Sequence, residues 1–391
     1  MTKHNCMKHS PSITLALSLI WIVLTINSSA GQTMLNNGTP LDVCLDTHRD
    51  WSARVDACRT AAGQQQAKAQ HQLGVMYDIG HGVSRNHVEA AAWLRAAAEQ
   101  GLAEAQHHLG AMYFKGRGVP RDAHQARYWY RLAADQGHPQ AQYNLGTMYA
   151  LGQGVPKDIE AALRWFRSAA EQGNLAAQYN LGTLYFRRNR PQTDHAEALR
   201  WFRSAAEQGF ALAQTQLGAI YHSGNGVPRD YATALSWYRS AAEQGDPRAQ
   251  YNLGTMHHKA HGVAQNYTKA VHWFRLAAEH RHAGAQYNLG LMHSKGQGVP
   301  VDYVEAAKWY RKAAETDFAL AQFQLSLMYI QGHGVARDLV LAYMWLDVAA
   351  SGDRQPWMAA RDRLEAKMAP EQVAEAQQMA RTWSRKLRQN K

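Results

Sequence analysis

Two apolar stripes alternate along most of this chain, and each is spaced for a helix. In the segment 139–174, Ala141, Leu145, Gly146 and Tyr149 fall four, one and three residues apart, on one face of a helical turn. The stretch Gly152-Gln153-Gly154-Val155-Pro156 that follows is one no helix runs through. Asp158 is placed to cap what comes next. A second stripe, Ala162, Trp165, Phe166, Ala169 and Ala170, ends at Gly173, a natural left-handed C-terminal residue. Each helix spans about 12–14 residues, or roughly 20 Å. Neither could hide its apolar face alone.

The pattern recurs with a period of 36, which aligns Ala67 to Arg354 as eight units with no insertion. Leucine returns at 73, 109, 145, 181, 217, 253, 289 and 325, and tryptophan at 93, 129, 165, 201, 237, 273, 309 and 345. An Ala-Ala pair follows each tryptophan by four and five residues. A phase held this strictly implies an all-α solenoid, one helical hairpin stacked on copies of itself. Ala141, Gly146 and Ala162 are expected to let the two backbones of a hairpin approach, and Trp165 to fill the space between hairpins. A glycine inside a helix costs about 1 kcal/mol relative to alanine. Its return at 74, 110, 182, 218, 254 and 290 says that close packing outweighs this cost.

The unit Ala-x-Ala-Gln-Tyr-Asn-Leu-Gly-x-Met-Tyr, then Gly-x-Gly-Val-Pro-x-Asp, then Ala-x-x-Trp-Phe/Tyr-Arg-x-Ala-Ala-Glu-Gln-Gly, resembles the Sel1-like repeat, a relative of the tetratricopeptide repeat, over residues 67–354. The resemblance implies a right-handed α/α superhelical solenoid that serves as an adaptor, in a family whose bacterial envelope and secreted members are common. It also implies that the first helix of each pair lines the concave surface. Aligned on the Leu-Gly pair, the fifth residues of the units then lie there: His71, His107, Tyr143, Tyr179, Thr215, Tyr251, Tyr287 and Phe323. The expected partner-binding set is Tyr143, Asn144, Thr147, Tyr179, Asn180, Thr183, Arg187, Tyr251, Asn252, Tyr287, Asn288 and Lys295. Rings offer contact area at small entropic cost, and amides can pair with an extended backbone. Units three, four, six and seven are the favoured ones, and the alternative is that their tyrosines and asparagines chiefly stabilise adjacent hairpins.

Some units depart from the pattern. Phe186-Arg187-Arg188-Asn189-Arg190-Pro191 replaces the usual turn in unit four. Ala260, Arg281 and Asp317 stand at turn glycines of units six and seven, and His257 and His293 replace the recurring inner tyrosine.

The ends read differently. Lys3 and Lys8, the uncharged stretch Ile13 to Ile26 and the small residues Asn27-Ser28-Ser29-Ala30 form a secretory signal peptide cut after Ala30. The apolar run is about 14 residues, short of the roughly 20 a membrane span needs. An uncleaved membrane tether is the alternative. Residues 31–66 are expected to form a linker and one capping helix, and 355–391 a capping helical hairpin with a basic tail, broken at Met368-Ala369-Pro370-Glu371. Cleavage removes two lysines and no acid, so the formal charge of +11 becomes +9. Acids and bases are interspersed, without the arginine block of a nucleic-acid arm. A weak attraction to envelope polymers follows from that charge. The mature chain keeps Cys44 and Cys58, which an oxidising compartment would pair, unless one continuous helix holds them apart.

These features favour an exported, monomeric scaffold in the periplasm or outside the cell, holding an acidic or extended protein segment. An inhibitor of the immunity kind and an assembly subunit are both consistent with that reading. The alternative is a peptidoglycan- or glycan-binding protein. A hydrolase of the β-lactamase-like kind lacks its residues: there is no Ser-x-x-Lys and no glycine-elbow serine, and the paired cysteines of each repeat are missing. His257, His258, His261, His280 and His282 crowd in one unit, yet no cysteine or carboxylate completes a metal shell, so neither metal nor cofactor is expected.

Overall fold

The computed structural model describes residues 38–187, 192–351 and 355–389. The expected signal peptide and the altered turn at 188–191 lie outside the described residues. The chain divides into two compact units, one ending at Ala162 and the other beginning at Leu163. The described residues form twenty helices. None of them is long and apolar enough to cross a membrane.

The first unit opens with α1 (Pro40–Leu45) and α2 (Trp51–Gly63), followed by α3 (Ala67–Ile79), α4 (His87–Glu99), α5 (Ala103–Lys115), α6 (Ala123–Asp135) and α7 (Pro139–Leu151), and it reaches into α8 (Ile159–Glu171). The second unit holds α9 (Leu175–Arg187), α10 (Gln192–Glu207), α11 (Ala211–Ser223), α12 (Tyr231–Glu243), α13 (Pro247–Lys259), α14 (Tyr267–Glu279), α15 (Ala283–Lys295), α16 (Tyr303–Ala314), α17 (Ala319–Gln331) and α18 (Leu339–Ala350), closed by α19 (Gln355–Glu365) and α20 (Pro370–Gln389). Within each unit, helices pack in hairpins such as α3 on α4 or α13 on α14, and each hairpin packs on the next, as α4 does on α5.

Local chemistry sets the boundaries. The second helices start at Asn or Asp: Asn86, Asp122, Asp230, Asn266, Asp302 and Asp338 each accept a hydrogen bond from a first-turn backbone N–H. The first helices end where the chain turns left-handed, usually at glycine. Ala260 closes α13 that way, and Arg281 and Asp317 do so after the second helices α14 and α16, at φ of 58°, 59° and 67°, a conformation that costs non-glycine residues about 1 kcal/mol or more.

Inside each hairpin, the recurring glycine makes room for a side chain rather than only for backbone. A Cβ at Gly290 would stand 2.7 Å from Cδ1 of Tyr310, and one at Gly218 only 2.5 Å from Cδ1 of Tyr238. The two aromatics of the second helix divide the work. Phe166 is 2% exposed inside its own hairpin, while the recurring tryptophan packs between hairpins: Trp129 of α6 is 9% exposed in the core of α4 and α5, and Trp273 of α14 packs on the core of α12 and α13. The i, i+4 spacing separates the two roles. Phe166 lies four residues after the buried Ala162, on the stripe that faces the first helix, while Trp165 is turned off it.

Two periodic hydrogen-bond ladders knit the repeats. A glutamine near the end of each second helix donates to one near the start of the paired first helix: Gln100 to Gln70 at 2.7 Å, Gln136 to Gln106 at 2.8 Å, Gln208 to Gln178 at 3.3 Å and Gln244 to Gln214 at 2.8 Å. An arginine also donates to a tyrosine hydroxyl eighteen residues on, as in Arg203 to Tyr221 at 3.0 Å and Arg311 to Tyr329 at 2.7 Å. Both ladders lapse in the sixth and seventh repeats. His280 and Thr316 stand at the glutamine positions, and the buried Oε1 atoms of Gln250 and Gln286 have no partner. His293 stands at the tyrosine position, 9% exposed, with neither ring nitrogen bonded.

The N-terminal cap is a hairpin, not the single helix expected. The short α1 begins with a reciprocal cap between Thr39 and Asp42. Cys44 on α1 and Cys58 on α2 are disulfide-bonded, with Cα atoms 4.6 Å apart. Both are fully buried beside Val55, Leu73 and Met76. At the other end, α20 places Trp383 against Trp345 at 5.2 Å, and Tyr343 donates to Glu365 at 2.6 Å.

Candidate functional site

Each first helix presents its fifth, sixth and ninth residues on one face, because these positions lie a turn apart. In the second unit this face carries Tyr179, Asn180 and Thr183 on α9, Tyr251 and Asn252 on α13, and Tyr287, Asn288 and Lys295 on α15. All are half-buried except Lys295, which is exposed. The side chain of Arg187 lies outside the described residues.

The rings on this face are wedged between hairpins. Tyr179 meets Phe202 at 5.7 Å and Phe210 at 5.9 Å. Tyr251 meets Phe274 at 5.8 Å and stacks on His282 at 4.5 Å. Tyr287 meets Tyr310 at 5.7 Å and Phe318 at 5.5 Å. The threonines turn inward too: Thr183 donates to the Tyr179 carbonyl at 2.9 Å, and Thr147 to that of Tyr143 at 3.0 Å. These hydroxyls are spent on their own helices. The amides of Asn252 and Asn288, by contrast, have no hydrogen-bond partner among the described residues.

In the first unit the same positions line a groove of about 490 Å³ between α3, α5 and α7. Tyr143, Asn144 and Thr147 form its α7 wall, opposite Val75, Asp78 and Ile79 on α3. The α5 wall holds His107, His108, Ala111, Phe114 and Lys115. The floor is the hairpin core, with Leu94, Met112, Tyr130 and Met148.

Four histidines tie these helices together. His71 Nε2 and His108 Nδ1 are 2.9 Å apart, His107 stacks on His138 at 4.8 Å, and the Asn144 amide nitrogen lies 3.2 Å from His107 Nε2. Burial pushes His107 down to about 3, with further lowering by His108, His138, His71 and Lys115. Burial likewise pushes His71 down to about 4, and His108 and His138 below their usual value. The wall is therefore uncharged at neutral pH. The sequence reading placed His71 and His107 on this face but favoured later repeats. The cluster forms because His108 stands where the other repeats have asparagine or glutamine and His138 where α7 begins, which the 36-residue alignment could have flagged.

The histidines crowded in the sixth repeat disperse. His261 pairs with His222 at 3.0 Å, His258 with Gln297 at 3.3 Å, and His282 caps α15. No group of three or more His, Cys, Asp or Glu among the described residues could hold a metal ion.

Comparison with known proteins adds the lineage. Among solved structures, a protective antigen present in uropathogenic Escherichia coli strains is 35% identical, with 85% of this chain and 79% of that chain covered and a TM-score of 0.60. A Sel1 repeat protein from Oxalobacter formigenes is also 35% identical, with 84% of this chain and 94% of that chain covered and a TM-score of 0.64. An immunity protein from Pseudomonas aeruginosa is 25% identical, with 55% of this chain and 81% of that chain covered; its TM-score of 0.36 carries no argument about this chain. No curated protein matches the chain. The model of the Sel1 repeat matches residues 67–102, 103–138, 139–174, 175–210, 211–246, 247–282, 283–316 and 319–353. With that match running through both units, the chain belongs to the Sel1 repeat family.

Proposed function

We propose that this chain is an exported scaffold that holds a protein partner on the face of its first helices, and that it binds rather than catalyses. The observation that carries the reading is the pair of partnerless amides, Asn252 and Asn288, repeated one unit apart beside half-exposed rings. Both side chains are half-buried, so their amides stay open to solvent and to an incoming chain. Amides left open in register can receive the backbone of an extended segment. Protein is favoured over glycan because the ring faces that would stack on sugar are already engaged, as Tyr251 is by His282. Export agrees with the Cys44–Cys58 bridge, a bond that persists in oxidising compartments, and with the signal peptide read at residues 1–30. Likeness to a protective antigen is in keeping with an envelope or secreted setting.

Photo-crosslinking tests the reading. A benzophenone side chain placed at Tyr287 in the exported protein should capture a discrete protein species from the native envelope. The same group at the exposed His272, on a second helix, should not. Equal capture of the same species from both positions would remove the face from the proposal.

A further inference from the structure

In the first unit the face of the first helices has depth. Its volume of about 490 Å³ lies within the usual range for a binding cleft. Its floor is apolar, with Met112 and Met148 4% and 1% exposed beneath it, and methionine adapts its shape to an incoming group. Its histidine wall is neutral, for the reasons of burial given above. Its charge sits at the rim, where Lys115 and Arg117 are exposed and make no ion pair or hydrogen bond among the described residues. The one acid lining it, Asp78, is held by His87 at 2.7 Å. The groove is thus an apolar socket with two cations on one edge, Lys115 and Arg117, free of ion pairs among the described residues, and Asp78 on the α3 wall.

We infer that this groove takes a large apolar side chain, aromatic or leucine-sized, from a partner segment that carries carboxylates next to it. The inference rests on the reading of the chain as a protein-binding scaffold and goes further by naming the socket and the chemistry that fills it. The apolar side chain covers Met112 and Met148, where removing it from water supplies most of the affinity. The flanking carboxylate meets Lys115 and Arg117, which steer the encounter, set the orientation and add a smaller share of the affinity. Asn144 and Gln153 line the same opening and offer amides to the segment's backbone.

A displayed library of random twelve-residue peptides, selected on the full exported chain, tests this directly. Enriched peptides should place Trp, Phe or Leu beside Asp or Glu. A synthetic peptide of that sequence, followed by fluorescence polarisation, should lose at least tenfold in affinity when its acids become amides. The variant Lys115→Gln/Arg117→Gln should weaken it by as much while shifting the thermal melt little, since neither side chain makes an ion pair or hydrogen bond among the described residues. Ala111→Trp, which fills the groove from α5, should abolish binding. Enriched peptides that lack acids, or that bind both variants as they bind the parent, overturn the groove assignment. If those peptides also crosslink at Tyr287, the scaffold reading stands without the groove. No saturable peptide, together with no capture at Tyr287, defeats both.

Discussion

Acidification should weaken the first unit through its histidines, by an amount the structure sets. In an unfolded chain each histidine takes its proton near 6.5, whereas in the fold His71 takes it only near 4 and His107 near 3. Between those values the unfolded state binds protons that the folded state refuses, so stability rises with pH and is lost as pH falls below 6.5. At about 1.4 kcal/mol per unit, His71 alone accounts for about 3 kcal/mol lost by pH 4. The groups facing the cluster pull both ways. His108, His138 and Lys115 hold the protons off, and Glu104 invites one onto His71. Linkage adds over every proton the fold refuses, so His107, neutral through the same range, contributes about 3 kcal/mol more by pH 4, and the cluster loses more than His71 does alone. The comparison is His71→Tyr/His107→Tyr, because tyrosine occupies the same position at Tyr143, Tyr179, Tyr251 and Tyr287, wedged in the second unit as His107 is against Tyr130 and His138. Hydrogen exchange of α3 and α5, corrected for intrinsic rates at pH 7 and pH 4.5, reads the local opening free energy. Protection should fall in the parent and hold much better in the double variant. An equal fall in both would refute the assignment of the pH dependence to this cluster.

Three further outcomes follow from packing and bonding. Gly290→Ala should destabilise by about 1–3 kcal/mol although alanine is the better helix former, because its Cβ would press on buried Tyr310; Gly63→Ala, with nothing within 4 Å, should be neutral or better in the same urea titration. His293→Tyr should raise the urea midpoint by about 1 kcal/mol of stability, since Arg275 stands eighteen residues earlier, as in the intact ladder, and two unbonded ring nitrogens disappear. Reduction of Cys44–Cys58, or replacement of both by serine, opens a loop with a sequence separation of 14 and should cost about 3 kcal/mol, seen as lost exchange protection in α1 and α2 with the second unit unaffected.

Much of this protein was legible before any coordinates. Period, helix stripes and turn residues depend on neighbours three to five positions apart, and that local physics survives in a string of letters. Asp158 capping α8 is such a case: it accepts from the Ala161 N–H at 2.9 Å. So is the C-terminal break at Met368-Pro370, where α20 begins at Pro370.

Other features needed the tertiary structure. That Phe166, one 100° step from Trp165, is the ring that fills its own hairpin depends on where the partner helix lies, which the repeat pattern does not state. The first helix of the N-terminal cap escaped notice because it is only six residues long, held by a cap and a disulfide rather than by periodicity. The groove and its histidines escaped for a related reason. His71 and His108 sit at different positions of their repeats and meet only because neighbouring hairpins are offset in space. By itself the sequence determined that hairpins form and stack, since each helix leaves an apolar face no single unit can cover. Only the tertiary structure decided which stretch of that stack has a socket, because depth, desolvation and the placing of charge are properties of several helices at once.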